Sequence, residues 1–136
     1  MIKRVHHVAI AVNNLEESVA LFEKLLGVKA HITTVASQHV KEARFKVGDG
    51  AEINLVAPDG PAGAVAAFLE KRGEGLHHVA LEVDDVDAAL EEMESQGVRL
   101  IDREGREGAA GQIGFLHPKS VSGVLVELVQ PREKEK

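Results

Sequence analysis

Hydrophobic and polar residues follow the same order in two stretches of the chain that start 71 positions apart. Residues 5–19 read VHHVAIAVNNLEESV, and residues 76–93 read LHHVALEVDDVDAALEEM. In each stretch apolar residues first alternate with other residues, which is the period of a β-strand. They then recur every three or four residues, which is the period of an α-helix. We therefore predict an internal repeat in which each copy opens with a strand, a turn and a helix.

Capping residues mark the ends of both predicted helices. Asn14 precedes the first helix and Gly27 follows it. Asp85 and Gly97 hold the same positions around the second helix. Asn and Asp are favoured at helix starts and Gly just past helix ends. A third segment with helical spacing, residues 61–72, is predicted as a short surface helix that connects the two halves.

An apolar strand closed by proline ends each half of the chain. Residues 48–58 read GDGAEINLVAP, and residues 123–131 read GVLVELVQP. Alignment of their final prolines sets Asn54 on Glu127. These two polar residues therefore occupy the same predicted position of the repeat.

Further strands predicted at residues 41–47 and 113–117 complete two β-α-β-β-β units. Halves of about 65 residues are too small to be stable alone. We therefore predict one α+β domain over residues 1–136, built of two repeats at about 1–60 and 74–131. These paired βαββ(β) modules are expected to form a curved mixed sheet around a cleft. Residues 131–136 form a charged tail that is expected to be disordered.

The composition of the chain argues against several kinds of site and partner. The absence of cysteine excludes disulfides, zinc–thiolate sites and thiol nucleophiles. A net charge of -6 argues against nucleic acid as a partner, because that binding depends on Lys and Arg. No apolar run approaches the ~20 residues of a membrane helix, and residues 1–12 are a charged strand rather than a signal peptide. We expect a cytoplasmic protein with neither nucleic acid nor membrane as a partner.

Two polar segments each allow two interpretations. Alternation over residues 41–47 puts Glu42, Arg44 and Lys46 on one side of a strand, which faces either solvent or a polar cavity. Solvent is favoured because charged residues are mostly exposed. The Gly-rich residues 102–112 form either a mobile hairpin loop or a lid over a ligand, and the loop is favoured.

Histidines stand at matching positions of the two repeats. The strand side that carries His7 or His78 otherwise carries small alanines, which leave room for a ligand. A single buried histidine is more often a core residue, and that interpretation applies to His6 and His77. His7 and His78 can meet if the halves pair about a pseudo-twofold axis.

Glu127 lies in the middle of an apolar strand, where an unpaired carboxylate would cost several kcal/mol to bury. A metal ion would remove that cost. With Asn54 at the matching position, two imidazoles, one carboxylate and one amide oxygen suit Co, Ni, Mn, Zn or Fe(II) and leave positions open for substrate. The set alone names neither the metal nor the reaction.

Four motifs give the chain a resemblance to a known family over about residues 2–131. They are HHVAIAV at 6–12, QHVKEARF at 38–45, GLHHVALEVDDVDAAL at 75–90 and GFLHPKSVSGVLVELVQP at 114–131. These motifs resemble the methylmalonyl-CoA epimerases of the vicinal oxygen chelate superfamily, and the last two are the specific ones. The resemblance implies the paired β-α-β-β-β fold, which that superfamily shares with glyoxalase I and extradiol dioxygenases.

The resemblance also implies roles for five residues. His7, His78 and Glu127 are expected to bind a divalent ion, Co²⁺ first and Ni²⁺, Mn²⁺ or Zn²⁺ as alternatives. Asn54 takes a fourth ligand position where relatives usually carry Gln or Glu. Because Asn is one methylene shorter, both direct ligation and a bridging water are open. Glu42 and Glu127 are the implied catalytic carboxylates.

The implied activity is metal-dependent epimerisation of (2R)- and (2S)-methylmalonyl-CoA by proton removal and return at C2, through a metal-stabilised enolate. A CoA thioester substrate and a homodimer follow from the same resemblance. His39 stands where relatives usually have Gly, and it is expected to alter the cavity wall near Glu42. A glyoxalase-I-like lyase and a non-catalytic ligand-binding member remain alternatives, although the motifs HPKS and VELVQP count against the lyase.

Overall fold

Eight β-strands and three α-helices form the computed structural model, which describes all 136 residues. The helices are α1 (Leu15–Leu26), α2 (Ala64–Arg72) and α3 (Val86–Ser95). The strands are β1 (Ile2–Ala11), β2 (His31–Val35), β3 (Val40–Phe45), β4 (Glu52–Pro58), β5 (Gly75–Val83), β6 (Arg106–Glu107), β7 (Gly111–Leu116) and β8 (Val126–Pro131). The strand order is β2-β3-β4-β1-β5-β8-β7-β6, with parallel and antiparallel pairs. The predicted α+β class and mixed sheet are confirmed.

Both predicted N-caps make their hydrogen bonds. Oδ1 of Asn14 accepts from the Glu17 N–H at 3.0 Å, and Oδ1 of Asp85 accepts from the Ala88 N–H at 3.1 Å. Each cap contributes about 1 kcal/mol to helix stability. Gly27 ends α1 with a left-handed φ of 73°, a conformation that glycine adopts without steric cost. None of the helices combines the length and the apolar character needed to cross a membrane.

The chain divides into two compact units, and the division falls inside β1 and β5. Residues 7–77 form what we term the N-terminal unit. Residues 1–6 and 78–136 form the C-terminal unit. Each unit has a helix packed on one face of its strands.

In the N-terminal unit, α1 covers one face of the strands. Its apolar side, Leu15, Val19, Phe22 and Leu26, packs against a buried cluster on the strands and the β1–α1 turn. That cluster consists of Val12, Ala43, Phe45, Leu55 and Ala57. Because strand side chains alternate between faces, Glu42, Arg44 and Asn54 lie on the opposite face.

In the C-terminal unit, α3 covers one face of β5, β7 and β8 through Val86, Ala89 and Leu90. Gly114 on β7 permits the close approach, since a Cβ there would lie 2.8 Å from Leu90 Cδ1. The opposite face carries a second buried apolar cluster. That cluster consists of Ala80, Ala110, Ile113, Phe115 and Val129.

Strand pairing is the same in both repeats. β1 and β4 pair in parallel with Ala9 beside Asn54, and β5 and β8 pair in parallel with Ala80 beside Glu127. Ala9 and Ala80 occupy the same position of the repeat. The register therefore agrees with the sequence alignment that set Asn54 on Glu127.

The segment between α3 and β7 folds as a hairpin that is tied to the rest of the C-terminal unit. The Gly105 N–H donates to Oδ1 of Asp87 at 2.6 Å. Arg132 donates from Nη1 to the Ala109 carbonyl at 2.9 Å and from its backbone N–H to the Ala110 carbonyl at 2.9 Å. The expectation of disorder from residue 131 is wrong for the start of the tail, because Pro131 belongs to β8 and residues 133–135 form a 3₁₀ turn.

Candidate active site and metal centre

Buried polar side chains line the face of the N-terminal unit that lies opposite α1. His7 on β1, Glu42 and Arg44 on β3, and Glu52 and Asn54 on β4 are each at most 7% exposed. The register places Arg44 beside Asn54, and residues two apart on one strand share a face. We call this surface the polar face.

The prediction that the charged side of residues 41–47 faces solvent is wrong for Glu42 and Arg44. Arg44 donates from Nε to Oε1 of Glu52 at 2.9 Å and from Nη2 to Oε2 at 2.8 Å. This two-pronged ion pair compensates both charges and permits their burial. Lys46, at the end of the alternating run, is exposed as predicted. The polar-cavity interpretation therefore fits Glu42 and Arg44.

Glu42 is a buried carboxyl of this face with a perturbed pKa. Burial raises the pKa of Glu42 to about 7, while the nearby Arg44 guanidinium opposes that rise. Asn54 donates from Nδ2 to Oε1 of Glu42 at 3.2 Å, which favours the charged form and orients the carboxyl. A carboxyl that titrates near neutral pH can both accept and return a proton.

Asn54 Oδ1 and Thr33 Oγ1 lie on this face without a protein hydrogen-bond partner. Both oxygens are buried. Thr33 pairs with Glu42 across β2 and β3, and Asn54 pairs with Ala9 across β4 and β1. An unsatisfied buried polar group costs about 1–3 kcal/mol, so these oxygens are disposed to receive a ligand. Direct ligation and a bridging water both remain open for Asn54.

The C-terminal unit contributes an imidazole and a carboxylate. Nε2 of His78 on β5 lies 3.8 Å from Oε2 of Glu127 on β8, and both residues are buried. The Phe115 ring meets the His78 ring edge-on, with centroids 5.6 Å apart. The surrounding cluster is apolar, which strengthens electrostatic interactions of the two polar groups.

His7 in the N-terminal unit and His78 and Glu127 in the C-terminal unit are buried, and each can offer one donor atom to a metal ion. A divalent ion binds nitrogen and oxygen donors at about 2.0–2.2 Å, so donors of one ion lie at most ~4.4 Å apart. The His78–Glu127 separation of 3.8 Å satisfies this limit. These three residues could hold a divalent ion. The unpaired oxygen of Asn54, which shares a strand face with His7, fits the same purpose.

His6 and His77 lie on the strand faces opposite to those of His7 and His78, because side chains alternate along a strand. His6 is 2% exposed, and His77 packs edge-on against Phe68 with ring centroids 5.0 Å apart. Burial lowers the pKa of His77, as expected for a neutral core imidazole. The core-residue interpretation therefore fits His6, whereas His77 is only partly buried.

The structure does not place His39 in the polar face as the sequence suggested. Its side chain is exposed, and a Cβ on Gly63 would lie 3.1 Å from His39 Cβ. The backbone of His39 is left-handed with φ 58°, which explains why Gly suits this position. The expected effect of His39 on the cavity wall near Glu42 is therefore not supported.

Thr33, Arg44 and Glu52 were not singled out as site residues by the sequence. Thr33 falls in a short polar segment without clear alternation, and Glu52 starts an apolar strand. The available signal was the charged side of residues 41–47, which requires a buried countercharge if it is not exposed.

Comparison with known proteins gives the site its context. Residues 6–117 match the Glyoxalase/Bleomycin resistance protein/Dioxygenase superfamily. The ethylmalonyl-CoA/methylmalonyl-CoA epimerase of Cereibacter sphaeroides is 38% identical over 133 residues, which cover 96% of this chain and 99% of that protein. The chain belongs to the methylmalonyl-CoA epimerase family.

Solved structures of that family have the same fold. The crystal structure of methylmalonyl-CoA epimerase from Mycobacterium tuberculosis matches with a TM-score of 0.92 and 39% identity, over 98% of this chain and 91% of that one. A variant of the Streptomyces coelicolor methylmalonyl-CoA epimerase, in complex with 2-nitronate-propionyl-CoA, matches with a TM-score of 0.86 and 36% identity over 94% of each chain. The predicted family, fold class and enzyme class, an isomerase, are confirmed.

Proposed function

We propose that the chain interconverts (2R)- and (2S)-methylmalonyl-CoA. The observation that carries this proposal is the buried carboxyl of Glu42, with a pKa raised to about 7 and an orienting hydrogen bond from Asn54. A hydrogen on carbon between two carbonyl groups needs a base of this kind, held in a fixed position. Relatives named as methylmalonyl-CoA epimerases support this substrate, as does a relative solved with a CoA thioester analogue.

We assign His7, His78 and Glu127 as the metal ligands, with Asn54 as a fourth, directly or through water. Co²⁺ is the expected ion, and Ni²⁺, Mn²⁺ and Zn²⁺ are alternatives. When bound, the ion would supply Lewis-acid stabilisation of negative charge on the carbonyl oxygens beside C2. The close His78–Glu127 pair and the unpaired Asn54 oxygen support this assignment.

Glu42 would act as a base in its carboxylate form. It takes the proton from C2 while the C–H electron pair moves towards a carbonyl oxygen. The donor amide of Asn54 keeps the carboxyl in place during the transfer, and the Arg44–Glu52 pair holds the neighbouring strands in register.

Inversion requires that a proton returns to the opposite side of C2. We assign that role to Glu127, which is 4% exposed and is the second carboxylate of the predicted pair. Reversal of the two roles gives the opposite direction of the reaction. Glu127 would begin this step protonated and end it as a carboxylate, Glu42 would end it protonated, and exchange with solvent would restore both. Because metal ligation would favour its carboxylate form, Glu127 would be the weaker base and the better acid of the two.

Deuterium wash-in at C2 tests the proposal. Protein stripped of metal and reloaded with Co²⁺ is incubated with (2R)-methylmalonyl-CoA in heavy water. Metal-dependent appearance of deuterium, together with the (2S) epimer, is expected. Absence of both from the metal-loaded protein would contradict the proposal and favour the lyase or the ligand-binding alternative.

Three further predictions accompany this function. We propose a single domain of two repeats, a homodimer and a cytoplasmic location. Light scattering after gel filtration measures the mass of the protein in solution, and a homodimer predicts a mass near twice 14.6 kDa. A mass of one chain would contradict the homodimer without affecting the proposed reaction.

A further inference from the structure

A half-exposed arginine lies over the aromatic ring that contacts a predicted metal ligand. Cζ of Arg106 on β6 is 5.5 Å from the centre of the Phe115 ring. The same ring meets His78 edge-on at 5.6 Å. One aromatic ring thus separates the guanidinium from the imidazole, and all three residues belong to the C-terminal unit.

Asp102 accepts hydrogen bonds from both Arg106 and the backbone of Phe115. Its Oδ1 accepts from Nε of Arg106 at 3.1 Å, and its Oδ2 accepts from the Phe115 N–H at 2.8 Å. A single carboxylate therefore holds both the guanidinium and the backbone of the ring beneath it. The two terminal nitrogens of Arg106 make no hydrogen bond to the protein, and 40% of the side chain is exposed.

Three other arginines of the chain use their terminal nitrogens in contacts within the protein. Arg44 is paired with Glu52 through Nη2, Arg132 with Glu107 and two carbonyls, and Arg103 with Glu94 through Nη1. Arg106 is held by Nε alone, so the fork of its terminal nitrogens stays available. Such a fork matches the paired oxygens of a carboxylate or phosphate.

We propose that Arg106 forms a binding subsite for an anionic group of the CoA thioester, an inference that rests on the proposed function. A chain of net charge -6 needs a local cation to bind an anionic substrate. The apolar ring below the guanidinium strengthens such an ion pair. Because only one ring separates Arg106 from His78, the acyl carboxylate is favoured over the phosphates at the far end of the pantetheine arm.

Calorimetric titration of two variants tests the subsite. Arg106→Met removes the cation and keeps an apolar stem over Phe115. Arg103→Met is the matched control, because it makes the same charge change in the same segment on a side chain that is 81% exposed. Three ligands are used: malonyl-CoA, propionyl-CoA, which lacks the carboxylate, and malonyl-pantetheine, which lacks the phosphates.

Arg106→Met is expected to weaken malonyl-CoA and malonyl-pantetheine by roughly tenfold or more, the usual effect of a lost charged hydrogen bond. Propionyl-CoA should bind as it does to the unchanged protein. Loss on both CoA ligands but not on malonyl-pantetheine would also support the anionic subsite, with phosphate as its occupant. The affinity of Arg106→Lys for malonyl-CoA should lie between those of the unchanged protein and Arg106→Met, because lysine keeps the charge and loses the fork.

Equal loss on all three ligands, unchanged binding in Arg106→Met, or the same loss in Arg103→Met would overturn the subsite. The proposed reaction fails separately. If the protein binds malonyl-CoA through Arg106 but exchanges no deuterium at C2, the reaction is wrong and the subsite stands. If it epimerises methylmalonyl-CoA and Arg106→Met binds normally, the reaction stands and the subsite is wrong. If it binds none of the three ligands, both fail.

Discussion

The side-chain amide of Asn54 donates to Glu42 from one end and has no protein partner at the other. Nδ2 lies 3.2 Å from Oε1 of Glu42, while the buried Oδ1 is unpaired. The donor end fixes which way the amide points, so the acceptor end is presented away from Glu42. One residue can therefore orient the proposed base and offer an oxygen to an ion or a water.

Replacement of Glu42 by Gln should abolish proton exchange while sparing metal binding. Gln keeps the size of the side chain but cannot accept the C2 proton, and loss of a positioned base costs about 10²–10⁴-fold in rate. Deuterium incorporation measures the rate, and metal analysis of the purified protein measures occupancy. Glu70→Gln, at an exposed position on α2, is the control. Unchanged exchange in Glu42→Gln would exclude Glu42 as the base.

The raised pKa of Glu42 predicts that folding of the metal-free protein becomes less favourable as pH rises. Burial raises the pKa from 4.5 to about 7. Below pH 4.5 Glu42 is protonated in both the folded and the unfolded protein. Between pH 4.5 and about 7 it stays protonated in the folded protein but is ionised in the unfolded chain, so ionisation favours unfolding. The accumulated loss of unfolding free energy above pH 7 is about 3 kcal/mol.

This loss is measured as a difference between proteins. Urea unfolding of the metal-free protein and of Glu42→Gln is compared from pH 5 to pH 8. The advantage of the Gln variant should grow with pH over that window, while Glu70→Gln shows no such trend. A constant difference would show that the folded pKa of Glu42 is near its ordinary value.

Thr33→Val should stabilise the protein by about 1 kcal/mol. The change removes a buried hydroxyl that has no partner and keeps the β-branched shape of the side chain. Urea unfolding measures the effect, and Thr34→Val, at the exposed neighbouring position, serves as the control. A loss of stability in Thr33→Val would mean that the hydroxyl is satisfied in solution.

Removal of one partner of the buried Arg44–Glu52 pair should destabilise the fold more than removal of both. Arg44→Met leaves a buried carboxylate without its countercharge, at a cost of about 3–5 kcal/mol. The double variant Arg44→Met, Glu52→Met leaves no charge behind and should recover most of that loss. Chemical unfolding of both variants measures the difference. A double variant that loses as much unfolding free energy as Arg44→Met, or the sum of the two single losses, would argue against a coupled pair.

The repeat, both helix starts and the three metal-binding candidates could be predicted from the sequence because each rests on a local pattern. Asn14 and Asp85 cap the helix that directly follows, and His7 and His78 recur within one motif. Glu127 could be identified because it is a charged residue in an otherwise apolar strand. These features need no knowledge of distant contacts.

Burial of Glu42 and Arg44 could not be predicted in the same way. Alternation shows that the two side chains share a side, but which side is covered depends on strands that pair later in the chain. The countercharge, Glu52, lies on a different strand from Arg44. Arg106 is equally non-local, since its position over Phe115 exists only once β6 and β7 have paired.

Matching register in the two repeats also shows how a duplicated unit has diverged. Arg44 and Phe115 lie beside Asn54 and Glu127, which are equivalent, and Ile113 takes the place of Glu42. On this face β3 of the first copy therefore carries ionisable side chains, whereas β7 of the second copy carries apolar ones. The two copies have become specialised and can no longer substitute for each other, although their opening motifs are nearly identical.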